Sequence, residues 1–148
     1  MNFSKVTPEE KKSMLADIYG EAIFLIIPFL GLIFITVIKN STSLASILSS
    51  LLLTTDWSLM SAVVFGQCAY KVSRVIPICG EKIDGRRFTY YLALRILFIF
   101  SSLFVYAAMA FKPNIYLGIF QIILFSSSVF IFFKDSLASS ILSKRHSK

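Results

Sequence analysis

Side chains able to do chemistry are few in this chain and lie far apart. Asp56, Gln67, Arg95 and Gln121 are polar groups set within or beside long apolar stretches. Arg95 stands about a third of the way into one such stretch, where even mild insertion scales assign a cation about 2.5–3.5 kcal/mol at a helix centre. Two readings are open for it. It lines a pore or ligand site, or its stem snorkels to the headgroups with Tyr91 stacked on the guanidinium, or with a structural contact to Gln67 or Tyr70. Asp56 would mark a vestibule or a proton or cation site if it faced a bundle interior, and its simpler use is helix capping. Gln67 and Gln121 bring amides into lipid, where they serve hydrogen bonds across a helix interface. Cys68 and Cys79 suit neither a disulfide framework nor a zinc site, and the single histidine, His146, lies in a basic tail. There is no phosphate-binding glycine loop, HExxH, pair of carboxylates or nucleophile beside a His or Lys, so neither an enzyme nor a cofactor or metal is expected.

Composition points the same way. Of 148 residues 56% are hydrophobic and 16% charged, the mean hydropathy is +0.76 and the net charge is +7. Soluble domains are about half apolar and a quarter charged, so a protein dissolved in lipid is expected.

The elements that must position these groups are helices. A bilayer core of about 30 Å takes roughly 20 apolar residues. Residues 22–38, 88–111 and 115–133 come near that length, the second with Arg95 as its one charge and the others with none. Between them, Ser43 to Tyr70 would be about 42 Å long as one helix and would leave Asp56 near the bilayer centre. A break at Thr54, Thr55, Asp56 and Trp57 avoids that cost. Ser43 to Leu53 then lies along the outer interface, residues 57–70 form a short second span, Thr55 or Asp56 supplies an N-cap oxygen, and Trp57 joins the aromatic belt. The expectation is an all-α, integral-membrane four-helix bundle with a short second span and an amphipathic N-terminal helix, in a single transmembrane domain over 1–148.

Twelve basic residues lie before span one, between spans two and three (the loop 71–87) or after span four, whereas the other two connections hold only Lys39 and Lys112. That asymmetry places both termini in the cytoplasm. A cleaved signal peptide, with Ser43-Leu44-Ala45 as its site, is the lesser alternative, because the apolar run is too long and Lys39 intervenes. Thr7-Pro8-Glu9-Glu10 reads as a helix start. Met14, Leu15, Ile18 and Tyr19 follow at helical spacing, on a helix expected along the membrane face or under the bundle. At the other end, Ser136 to Ser143 continues span four into the tail.

Lys71, Arg74, Lys82, Arg86 and Arg87 of the central loop could dock an acidic partner protein, nucleic acid or anionic headgroups. They are equally explained as the positive-inside signal alone, and direct nucleic-acid binding is not expected. Ser58, Ala62 and Gly66 recur at intervals of four on span two, a helix-packing stripe. With the intramembrane amides, it suggests a homo-oligomer in the bilayer.

Two resemblances bear on function. Four spans, both termini inside and a basic central loop resemble the immunity proteins that protect bacteria from pore-forming colicins, an architectural likeness without a motif. The segment Asp56-Trp57-Ser58-Leu59-Met60-Ser61-Ala62-Val63-Val64-Phe65-Gly66-Gln67, followed by a basic loop, resembles small four-span membrane subunits of bacterial anti-phage systems such as Kiwa. That resemblance implies an oligomeric inner-membrane sensor, anchor or membrane-perturbing effector with a cytosolic partner, and it carries no active-site residues across.

Overall fold

The structure is a computed structural model that describes residues 7–39, 43–74 and 85–146. These residues form five helices: α1 (Pro8–Lys39), α2 (Leu44–Leu53), α3 (Asp56–Arg74), α4 (Gly85–Phe111) and α5 (Ile115–His146). Three of them, α1, α4 and α5, are long and apolar enough to cross a membrane. The pair α2 and α3, bent by 51°, would make a fourth span.

Local chemistry sets most helix ends. Thr7 and Glu10 close a reciprocal cap on α1: the Glu10 N–H donates to Thr7 Oγ1 at 3.3 Å and the Thr7 N–H to Glu10 Oε2 at 3.0 Å. Pro8 then occupies the first helical position, where a missing N–H costs nothing. Ser43 caps α2 by accepting from the Ser46 N–H. Asn114 Oδ1 accepts from the Tyr116 N–H at the start of α5, after Pro113 has ended the previous turn.

The expected division between an amphipathic N-terminal helix and a first span does not occur, because α1 runs unbroken for 32 residues. Met14, Ile18 and Ala22, all buried, lie four apart. One contact stripe therefore passes straight from the charged part into the apolar part, and Gly20 at their boundary stays helical. The second apolar segment does break between Leu53 and Asp56. At 51° from α3, α2 is neither a straight extension nor a helix laid at right angles to it.

α3 sits at the centre, flanked by α4 and α5. Its buried face, Trp57, Ser58, Ser61, Ala62, Val64, Phe65 and Cys68, recurs at three- and four-residue steps. α4 presents Arg95, Ser102, Val105 and Met109 to the interior, and α5 presents Gln121, Leu124, Ser128, Phe132 and Ser136. Phe65, fully buried, stacks on Phe98 with ring centroids 5.0 Å apart. By contrast α1 lies on the outside, touching α5 and α2, with only 6% of its most apolar window buried against 22% for α4 and 28% for α5. Its exposed residues include Phe24, Ile27, Leu30, Phe34 and Ile38.

Candidate functional site: two polar clusters in an apolar bundle

The bundle has two distinguishable ends. At one, the break end, lie the α2–α3 junction and the short connection from Phe111 to Ile115. At the other, the basic end, α3 finishes and α4 starts. Each end holds one buried polar cluster.

At the break end the organiser is Gln121 of α5, which is fully buried. Its Nε2 donates to the carbonyls of Leu52 (3.1 Å) and Thr54 (2.6 Å), and its Oε1 accepts from Ser58 Oγ (2.8 Å). The Trp57 indole N–H donates to the Leu51 carbonyl at 2.6 Å. The last carbonyls of a helix lack intrahelical partners, so one amide and one indole satisfy groups that the break would otherwise leave bare. Gly118, one turn before Gln121, makes the approach possible: a Cβ there would land on the Leu52 carbonyl oxygen. Trp57 is only 8% exposed and packs edge-on against Phe29 and Phe125, with centroids 4.3 and 5.4 Å away. The tryptophan expected in an aromatic belt is thus part of the core, held there by the partner its indole finds.

Asp56, half-buried, accepts from Thr54 Oγ1 at 2.8 Å, and the same hydroxyl accepts from the Asp56 N–H at 3.4 Å. The hydroxyl serving the start of α3 therefore comes from Thr54 instead of the side chain of Thr55 or Asp56. This arrangement closes the junction locally.

At the basic end, Arg95 of α4 meets Asp135 of α5 in a two-pronged contact, Nε to Oδ2 at 2.7 Å and the terminal nitrogen to Oδ1 at 2.9 Å. Arg95 is 7% exposed. A planar guanidinium matched to both carboxylate oxygens is the geometry that best offsets the desolvation of a buried pair. Next to Asp135 on α5, Ser136 Oγ accepts from Lys71 Nζ of α3 at 2.6 Å, and Lys71 also pairs with Glu21 of α1 and lies 4.3 Å from the Phe132 ring centroid. Two cations and two carboxylates thus join α1, α3, α4 and α5 at one level.

Between the clusters the interior is apolar. The hydroxyls of Ser61, Ser102 and Ser128 turn back to their own helices, donating to the carbonyls of Trp57, Phe98 and Phe125. Among the described residues no buried side-chain nitrogen or oxygen lacks a partner. Nor do three of His, Cys, Asp and Glu come together there as a metal site would require.

The structure distributes the sequence-derived candidates unevenly. Gln121 bridges helices, whereas Gln67 is exposed and does not meet Arg95. Tyr70, the other expected partner of Arg95, is also exposed. Asp135 takes that place; it lies two residues beyond the apolar stretch ending at Phe133, where α5 continues as helix. Ser58 and Ala62 are buried within the chain itself, while a Cβ on Gly66 would meet nothing within 4 Å. The small-residue stripe of α3 is therefore largely used inside the bundle. Lys71, expected on a docking loop, turns inward to Glu21 and Ser136. Arg74, Arg86 and Arg87 are exposed on the last turn of α3 and the first of α4. Lys82, with Cys79 and the rest of 75–84, lies outside the described residues, as does the side chain of His146. Cys68 is fully buried beside Ala22, Val64 and Phe132.

No family model, curated protein or solved structure matches the chain.

Proposed function

We propose that this chain is a multi-pass protein of a bacterial inner membrane with both termini in the cytoplasm. It works by assembly, with further copies of itself and a cytosolic partner, as the sensor, anchor or membrane-perturbing effector of an anti-phage defence system. The observation that carries the membrane reading is an inversion of the usual soluble pattern. Gln121, Arg95 and the serines are inside and hydrogen-bonded, while Phe24, Phe34, Phe104, Tyr116 and Phe130 are outside, each at least 67% exposed. The defence setting rests on the resemblance of Asp56 to Gln67, whose buried residues form the central face of α3. Immunity to a pore-forming bacteriocin is the second reading, supported by the return of α5 to the end where α1 begins.

Inducing the protein alone in a bacterium, with a potential-sensitive dye and growth followed together, tests the proposal. Depolarisation at modest expression is expected of an effector, and a normal potential with a captured cytosolic partner is expected of a sensor or anchor. Protection against one pore-forming toxin, with neither of those effects, would replace defence by immunity.

A further inference from the structure

The basic end carries a pattern that the two clusters do not use. Three arginines each have a tyrosine four residues away on the same helix: Tyr70 with Arg74 on α3, and Arg86 with Tyr90 and Arg87 with Tyr91 on α4. Residues four apart share a helix face. All six are exposed, the tyrosines by 58%, 62% and 53%. The two helices run in opposite directions, yet in every pair the tyrosine is displaced toward the middle of the bundle, by about 6 Å at 1.5 Å per residue. The result is a layer of phenols with a layer of guanidinium groups one turn further out.

We propose that this double layer is a binding surface for the headgroups of anionic phospholipids, the arginines taking the phosphates and the phenols the glycerol and ester region. The proposal rests on the membrane reading above. Charge complementarity selects the occupant: guanidinium groups bind phosphate oxygens in pairs, and tyrosine favours the boundary where its ring is apolar and its hydroxyl wet. Position distinguishes a lipid from an acidic protein. The rings of neighbouring Tyr90 and Tyr91 meet edge-on with centroids 6.0 Å apart, and Tyr70 stands on another helix with the same displacement from its arginine. Phenols set one turn inside the guanidinium groups match an ester layer beneath a phosphate layer, an order that an acidic protein surface does not have.

The full chain, purified in detergent, would be titrated with phosphatidylglycerol and separately with phosphatidylcholine, and bound lipids counted by native mass spectrometry. Phosphatidylglycerol is expected to be retained preferentially, and Arg74→Gln, Arg86→Gln and Arg87→Gln each to weaken it about fivefold, the effect of one basic side chain at an anionic surface. Tyr90→Leu and Tyr91→Leu should weaken it with no change in charge. Lys39→Gln and Lys112→Gln, at the break end, should leave it intact. Equal retention of both lipids by the unaltered chain would overturn the proposal even if a variant failed to fold. So would tight binding of polyglutamate that displaces phosphatidylglycerol, which would assign the surface to an acidic protein. Extraction without detergent would defeat the membrane reading separately, before any lipid is added.

Discussion

The two polar clusters solve the same problem with different chemistry. At the break end an uncharged amide, an indole and hydroxyls satisfy backbone carbonyls exposed by the α2–α3 junction. At the basic end full charges answer one another across four helices. An amide loses little when one of its several bonds is removed. A buried ion stripped of the group that pairs with it is left poorly compensated. The break end should therefore fail gradually and the basic end abruptly, although both tie distant segments together.

Five substitutions, one of them only in combination, probe that contrast, with stability read from thermal unfolding in detergent. Arg95→Met should have the largest effect, about 3–5 kcal/mol, because it leaves the Asp135 carboxylate buried and uncompensated. Adding Asp135→Leu should recover most of the loss, since an apolar pair of similar volume is often as stable. A double variant as unstable as Arg95→Met would show that the charges do more than cancel. Gln121→Leu should cost about 1–3 kcal/mol, leaving the Leu52 and Thr54 carbonyls and the Ser58 hydroxyl to find new partners. Gly118→Ala should cost about 1–3 kcal/mol through displacement of the Leu52 backbone; an unchanged midpoint would mean that α2 can withdraw freely. Glu21→Gln should be smallest, under about 1 kcal/mol, because the carboxylate is 55% exposed and Lys71 keeps Ser136 and Phe132. A loss as large as that of Arg95→Met would place both ion pairs in one cooperative unit and sharpen the division between the ends.

Much of the architecture was legible along the chain. The capping pair Thr7 and Glu10, the polar interruption at Thr54 to Trp57 and the stop at Pro113 are local signals whose physics involves residues within a few positions. Less of the candidate site was legible. Gln121 could be read as an amide seeking a partner, but its targets are backbone carbonyls nearly 70 positions away. Those carbonyls have no signature in residue type. Asp135 lies two residues beyond the apolar run ending at Phe133, so hydropathy alone does not mark it as intramembrane. Charge and position alone assign Lys71 to the loop, while its burial depends on Glu21 and Ser136 arriving from two other helices. Gly66 and Gly118 look alike in sequence, and only one of them has a backbone against it.

Residue order alone establishes that the chain is helical, largely where its helices begin and end, and that three of them are long and apolar enough to cross a membrane. These follow from caps, turn residues and apolar runs, which act over a few residues. Which face of each helix is inside, which carboxylate Arg95 meets, and that an amide on α5 repairs the break between α2 and α3 depend on packing. Those pairings require a particular register between helices separated by 40 to 70 residues. That register is set by how Phe65, Phe98, Phe125 and Trp57 fit together and by where Gly118 lets two backbones touch.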